Sequence, residues 1–308
     1  MKRRTRLWLR FILILMLAGG VYLLLRSYEQ QFVYTPSAFL QKTPRDVGMA
    51  FDSIALVADD GVNIQGWLVP VDPAEQAAVT NTTVPTLLFF HGKTGNMGDY
   101  LERVHFFHDL GLNVFIIDYH GYGKSGGSPT ERALTGDALA AYFLLVEKRG
   151  VKPEQLFIYG QDLGAAVGID LAARVPAAGL ITEGAEASII EKVEDEWPLI
   201  PWQYLLRNQF DSLSRIRDVR IPVLLIHSAE DQQVPFGSSR RLYALAHEPK
   251  ELVQIHGTHG GAFDKSLESF DVYYDKVDHF VRGPSRDKSA VTDSSTQSNP
   301  PASKESTP

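Results

Sequence analysis

The stretch Leu156-Phe157-Ile158-Tyr159-Gly160-Gln161-Asp162-Leu163-Gly164-Ala165-Ala166 constrains this chain more than any other. It opens with four apolar residues rich in β-formers, bends through Gly160 and Gly164, and continues as a small-residue helix from Ala165 to Ala173. That order predicts a strand, a tight turn and a helix. Glycines on both shoulders suit a strained central residue and a helix that approaches the strand too closely for side chains. The residue at the centre is Asp162, and its role is the main question the sequence poses.

Strands and helices alternate around this unit. Residues 53–57 and 62–69 read as two strands joined by the hairpin signal Asp59-Asp60-Gly61. Residues 86–90 form a short apolar run, as expected of a parallel strand buried on both faces. Asn96 can cap a helix running to about Leu110, and residues 114–118 are the next strand. Ser128-Pro129-Thr130 reads as a helix start, after which Leu134, Ala138, Tyr142 and Leu145 share one helical face. Residues 156–159 enter the turn. Three later strands fall at 179–182, 223–226 and 252–255, and two helices at 237–246 and 263–282. This alternation predicts an α/β fold with a doubly wound, mostly parallel sheet. Residues 186–220 interrupt it with Trp197, Pro198, Pro201, Trp202 and Tyr204. The interruption reads either as a lid over a site or as a surface helix pair packing aromatics onto the core.

The two ends lie outside this pattern. Lys2, Arg3, Arg4, Arg6 and Arg10 precede an apolar run that reaches Leu25. Counted from Leu7, with Arg10 snorkelling, the run spans roughly 28 Å, close to the thickness of a bilayer core. The basic cluster favours the cytoplasmic side, so residues 1–28 are expected to be a single-pass cell-membrane anchor with the main domain extracytoplasmic. Leu23-Leu24-Leu25-Arg26 follows without a small-x-small cleavage site, which argues against a removed signal peptide. Residues 29–282 are the expected folded domain. Residues 283–308 are rich in Ser, Thr, Pro and Lys, and too poor in apolar surface to offset their ordering entropy, so a disordered tail is expected there.

With 44% hydrophobic residues among 308, the chain can bury one large core. A net charge of -7 gives no reason to expect nucleic-acid binding. The absence of cysteine removes disulfides, thiolate metal sites and a cysteine nucleophile. The nine histidines show no paired ligand spacing, so neither a metal nor a cofactor is expected.

Ligands in an open α/β sheet bind at the carboxyl ends of the strands. Four candidate features fall there: Asp162, Asp231 after the strand ending near Ile226, His259 after the last strand, and His91-Gly92-Lys93 after the strand at 86–90. His256 competes with His259, but it precedes Gly257 and reads as part of the strand. Asp231 has a plainer alternative as a cap for the turn that follows. Gly123-Lys124-Ser125-Gly126-Gly127 also has the Gly-x-Ser-x-Gly pattern, but it sits in a glycine loop that opens no helix.

Taken with Phe32-Val33-Tyr34-Thr35-Pro36, Gly66-Trp67, Phe90-His91-Gly92-Lys93-Thr94-Gly95-Asn96 and Asp118-Tyr119-His120-Gly121-Tyr122-Gly123-Lys124-Ser125, these motifs resemble the α/β-hydrolase superfamily, in its membrane-anchored, serine-aminopeptidase-like branch. The resemblance covers roughly residues 30 to 282 in the family's order of nucleophile, acid and histidine. It implies an α/β-hydrolase fold acting on a small-molecule or lipid-like substrate. Asp162 then occupies the nucleophile position, His259 is the base, Asp231 orients it, and the Lys93 and Leu163 amides form an oxyanion hole.

The departure from the family is Asp162 where serine is usual. A serine needs a histidine to take its proton; a carboxylate does not. Its attack on an ester would give a high-energy anhydride. Attack on a saturated carbon would expel halide or open an epoxide and leave an alkyl ester, which water activated by His259 could cleave. That resembles the haloalkane dehalogenase and epoxide hydrolase branches, although Leu163 replaces their tryptophan and Thr94 the epoxide hydrolases' proline. Two further readings stay open: direct activation of water by His259 and Asp231, and a catalytically silent fold that binds a ligand or a protein.

Overall fold

The computed structural model describes residues 2–71, 84–200, 202–260 and 269–283. The expected tail from 284 onward and the first turns of the last expected helix, 263–268, lie outside the described residues. The first helix, α1 (Lys2–Val33), is continuous over 32 residues. It is long and apolar enough to cross a membrane, and none of its most apolar window is buried in protein. It runs two turns beyond the expected apolar stretch, through the expected boundary at 28. Glu29, at 3% exposure, and Val33, at 2%, are buried against the main domain.

Eight strands form one sheet: β1 (Asp52–Val57), β2 (Asn63–Val69), β3 (Thr86–Phe90), β4 (Asn113–Asp118), β5 (Leu156–Gln161), β6 (Gly179–Glu183), β7 (Val223–Ser228) and β8 (Lys250–Ile255). Their spatial order is β8-β7-β6-β5-β3-β4-β2-β1. β2 runs antiparallel to β1 and β4, and the other pairs are parallel. Every residue of β3 and β5 is buried, which is why both read as unbroken apolar runs. Edge strand β1 alternates instead, turning Ile54 and Leu56 inward.

Helices cover both faces. A capped turn at Asn96, whose Oδ1 accepts from the Gly98 amide at 3.0 Å, leads into α2 (Leu101–Asp109). Thr130 caps α3 (Glu131–Phe143), accepting from the Ala133 amide at 3.1 Å. Gly164, Ala165, Ala166 and Gly168 let α4 (Leu163–Ala172) lie directly on the sheet. Between β6 and β7 run the short helices α5 (Ile189–Glu196), α6 (Trp202–Leu205) and α7 (Ser212–Arg215). Then come α8 (Gly237–Leu245) and α9 (Ser269–Arg282). Leu88, Phe90, Phe115 and Ile158 pack with α3 and α4 on one face. Phe89, Ile116, Tyr159 and Tyr273 pack with α2 and α9 on the other.

β4 and β5 flank β3 on opposite sides. The connections therefore diverge at β3 and open a crevice at its carboxyl end, the place where a doubly wound sheet holds ligands. The sequence pattern missed one small element. Thr35–Pro36, directly after α1, pairs in parallel with Thr94–Gly95, directly after β3. Two residues on each side are too few to leave a periodic signal.

Candidate active site

Asp162 has φ 51° and ψ −119°, a conformation few side-chain-bearing residues adopt. Packing imposes it. A Cβ at Gly160 would lie 2.2 Å from the Gly164 carbonyl oxygen, and one at Gly164 would lie 2.1 Å from that of Phe90. The Asp162 amide donates to the Glu183 carbonyl at 2.9 Å, tying the elbow to the neighbouring strand. The carboxylate thus projects from the end of β5 into the crevice beside β3.

His259 and Asp231 meet it there. His259 Nδ1 donates to Asp231 Oδ2 at 2.6 Å, which leaves Nε2 facing Asp162 Oδ1 at 3.8 Å, beyond a direct hydrogen bond. Asp231 also caps its own turn, as the plainer reading of the sequence expected: Oδ1 accepts from the Gln233 and Val234 amides at 2.8 and 2.9 Å. The two roles use different oxygens. Burial alone would raise the Asp231 carboxyl, but hydrogen bonds from His227, His259 and the Val234 amide hold it well below the usual range. Burial opposes the protonated form of His259. The Asp231 hydrogen bond and the charges of Asp162, Asp231 and Glu183 outweigh it and raise the imidazole above its ordinary 6.5.

The second Asp162 oxygen, Oδ2, accepts from the Lys93 amide at 3.1 Å. Leu163 is the first residue of α4, so its amide has no partner within the helix, and the residue lines the same cleft. Around Asp162 the cleft is lined by Phe32 and Val33 from α1, Lys93, Leu163 and Ala166 from the core, and Glu186, Ile189, Lys192 and Phe210 from the connection. The walls bound about 440 Å³ including the open mouth, with about 40 Å³ of room inside, enough for a few waters.

A buried polar network holds the His259 loop. Arg103 on α2 donates through Nη2 to Glu183 Oε1 at 2.8 Å and to the Gly260 carbonyl at 2.6 Å. The other Glu183 oxygen accepts from the Tyr159 and Tyr273 hydroxyls at 2.7 and 3.1 Å. Burial would raise the Glu183 carboxyl, yet the Arg103 charge and these hydrogen bonds keep it low. Sequence reasoning missed both residues because it ended β6 at Thr182. The available signal was a glutamate ending a run of apolar residues.

The remaining expectations sort cleanly. His256 lies just past β8, which ends at Ile255, and not within the strand as expected; it is exposed and its Nδ1 pairs with Glu230 at 2.7 Å. The Ser125 hydroxyl donates to the Asp118 carbonyl at 2.7 Å and accepts from the Gln65 amide at 2.9 Å, so it braces a loop. Trp202 is buried with Val193 and Leu206, its indole donating to the Trp197 carbonyl at 3.1 Å; neither tryptophan lines the cleft. The Tyr204 side chain lies outside the described residues. Among the described residues, no group of three or more His, Asp and Glu side chains could hold a metal ion.

The chain resembles known proteins. Residues 82–214 match the serine aminopeptidase family. The uncharacterized protein Rv2307c of Mycobacterium tuberculosis is 32% identical over 269 residues, covering 87% of this chain and 92% of its own. Protein bem46 of Schizosaccharomyces pombe is 32% identical over 261 residues, covering 80% and 79%. Among solved structures, an esterase from Pyrococcus furiosus superposes with a TM-score of 0.64 at 18% identity, covering 80% of this chain and 98% of its own. That last likeness concerns the fold. The strand order, the elbow and these relatives together make the chain a member of the α/β-hydrolase superfamily.

Proposed function

We propose that the chain is a membrane-anchored hydrolase in which Asp162 is the nucleophile, His259 the base, Asp231 the residue that orients it, and the Lys93 and Leu163 amides the oxyanion hole. In this reading α1 stays uncleaved, with its basic end cytoplasmic and the hydrolase domain extracytoplasmic. The observation that carries the mechanism is the division of labour at the Asp162 carboxylate: Oδ2 accepts from the Lys93 amide at 3.1 Å while Oδ1 faces His259 at 3.8 Å.

Oδ1 attacks a saturated carbon of the substrate. The bond to the leaving group breaks, and a halide, or the oxygen of an opened epoxide, departs with the electron pair; the epoxide oxygen then takes a proton from solvent. Asp162 is now an alkyl ester whose carbonyl oxygen already sits on the Lys93 amide. Its negative charge is gone, and with it part of what raises the His259 proton affinity. More of His259 is therefore neutral, the form that can take a proton, at the step that needs a base. It takes a proton from water as that water attacks the ester carbon. The oxyanion forms on the Lys93 and Leu163 amides. Collapse breaks the alkyl-oxygen bond to the acyl carbon, His259 returns its proton to the departing alcohol, and the carboxylic acid left on Asp162 releases its proton to solvent, restoring the carboxylate.

The resting state supports a second reading, a binding module for a cationic or polar ligand, because His259 is held between the two carboxylates of Asp162 and Asp231. One experiment separates the readings. The full chain in detergent is offered an aryl ester, an epoxide and a haloalkane in ¹⁸O-water, and the peptide carrying Asp162 is weighed. Turnover with ¹⁸O in Asp162 supports the nucleophile. Turnover with label only in the product moves catalysis to water activated by His259, and no turnover by a folded chain favours the binding module.

A further inference from the structure

The helix that reads as a membrane anchor takes part in the site. Phe32 and Val33, in its last turn, line the cleft with Asp162 and Leu163. The chain after them is hydrogen-bonded to the oxyanion loop: the Thr35 amide donates to the Lys93 carbonyl at 2.9 Å, and that carbonyl also accepts from the Tyr122 hydroxyl at 2.8 Å. The same Lys93 holds Asp162 through its amide. The anchor and the nucleophile are one residue apart in the hydrogen-bond network.

The opposite wall is joined to the anchor as well. Glu29 Oε1 accepts from the Arg207 amide at 2.9 Å, the Asn208 amide at 2.8 Å and Asn208 Nδ2 at 2.8 Å. Asn208 Oδ1 accepts from the Tyr34 hydroxyl at 3.0 Å and the Glu131 amide at 2.8 Å. Leu25 and Phe32 pack beside Ile189, Ile190 and Ile200 against the Val193–Trp202–Leu206 cluster. The connection between β6 and β7 is therefore seated on the anchor. Between α5 and α6 it presents Trp197, 51% exposed, and Leu199, 96% exposed, the composition of a membrane-interface contact.

Distance decides where the mouth lies. Leu25 ends the apolar run and Phe32 lines the cleft, a separation of seven residues, or roughly 10 Å along the helix. The headgroup layer is about 5–8 Å deep, so with Leu25 at the edge of the hydrocarbon core Phe32 sits just beyond the outer edge of that layer. Phe32 belongs to the anchor and Ile189 to the connection seated on it, and both line the cleft, so a molecule that enters between them passes between the anchor and that connection.

We infer that the substrate enters laterally from the bilayer, between the last turn of α1 and α5, and that it is a membrane-dissolved, long-chain aliphatic molecule whose chain lies along Phe32, Val33 and Ile189 while its electrophilic carbon reaches Asp162. This rests on the hydrolase reading for the chemistry; the entry route stands on the anchor geometry alone.

The natural chain has no cysteine, so a single engineered one reports a single place. Full-length Phe32→Cys and, on the other wall, Ile189→Cys are labelled with a small fluorophore and reconstituted in phosphatidylcholine vesicles. Val57→Cys, exposed on edge strand β1, is the reference. Brominated acyl chains should quench the Phe32 and Ile189 labels severalfold more than the Val57 label. Aqueous iodide should show the reverse order. Quenching by acyl chains no greater than at Val57, for whichever wall variant folds, overturns lateral entry. The measurement is repeated in Asp162→Asn, where quenching should persist, so that a failure of the chemistry is not mistaken for a failure of the route. In the active chain, a long-chain epoxide in vesicles should be turned over at least about tenfold more efficiently than a short water-soluble one.

Discussion

Arg103 donates to the carbonyl of Gly260 at 2.6 Å, so a helix on one face of the sheet holds the loop that carries His259. The same guanidinium neutralises Glu183, whose side chain is 3% exposed. Arg103→Met should cost about 3–5 kcal/mol, because it strands a buried carboxylate. Arg103→Met with Glu183→Gln should recover part of that loss without recovering turnover, since Gly260 stays unheld. Denaturant unfolding followed by tryptophan fluorescence, alongside kcat, separates the two effects.

The His259 imidazole is raised by Asp231 and Asp162, and Asp162→Asn removes one of those charges. Its titration midpoint, read from the histidine ring signals by NMR, should move down. For stability the sign is fixed. A raised histidine contributes in full below about 6.5 and loses that contribution as pH climbs through its folded value. Asp231, held low, contributes above its ordinary 3.8 and loses it as pH falls. Stability should therefore fall off on both sides of a window between those pH values, and Asp231→Asn should flatten both flanks.

Asp162→Ser returns a hydroxyl to the elbow and withdraws a charge from His259. The variant should hydrolyse activated aryl esters through an acyl-enzyme, with a burst of product and labelling by a fluorophosphonate. Asp162→Asn should do neither.

Gly164 and Gly168 sit one turn apart on α4 in different surroundings. A Cβ at Gly164 would meet the Phe90 carbonyl at 2.1 Å, and Gly164→Ala should cost more than about 4 kcal/mol or prevent folding. A Cβ at Gly168 meets only side-chain carbons, the nearest at 3.3 Å, and the helix gains about 1 kcal/mol of propensity. Gly168→Ala should be near neutral. Yields of folded chain and denaturation midpoints test the pair.

Glu29→Ala leaves the Arg207 and Asn208 amides without their acceptor, at a cost of about 1–3 kcal/mol. Hydrogen exchange should speed up at residues 206–210 and in the last turn of α1 while the central strands stay protected. Glu29→Gln keeps an acceptor oxygen and should restore much of the protection.

The central sheet was legible because burial on both faces writes itself into composition. Thr86–Phe90 has the same bounds in the sequence reading and in the structure. β5 runs two residues past the expected Tyr159, since Gly160 and Gln161 still pair with Thr182 and Glu183 before the bend. Reading a glycine as the turn itself ended the strand too early. Asp162, His259, Asp231 and Lys93 were singled out by their positions after strands; the structure places Lys93 and His259 beside Asp162, and Asp231 on His259. What the sequence hid was long-range pairing of polar groups with no local period. Glu29 reaches Asn208, and Arg103 reaches Gly260, across more than a hundred residues. Neither partner bears a mark in its own neighbourhood.

α1 is unbroken from its basic start to Val33, and Glu29 fastens it before the domain begins. There is no swivel between them. A domain on a loose stalk would sample every heading and meet its substrate as a solute in three dimensions. In the proposed anchored state, a domain fused to its own stem keeps one face toward the lipid, so the abundance it responds to is molecules per unit of membrane area. Its rate should follow the mole fraction of substrate in the lipid, and diluting the vesicles with buffer should leave that rate unchanged.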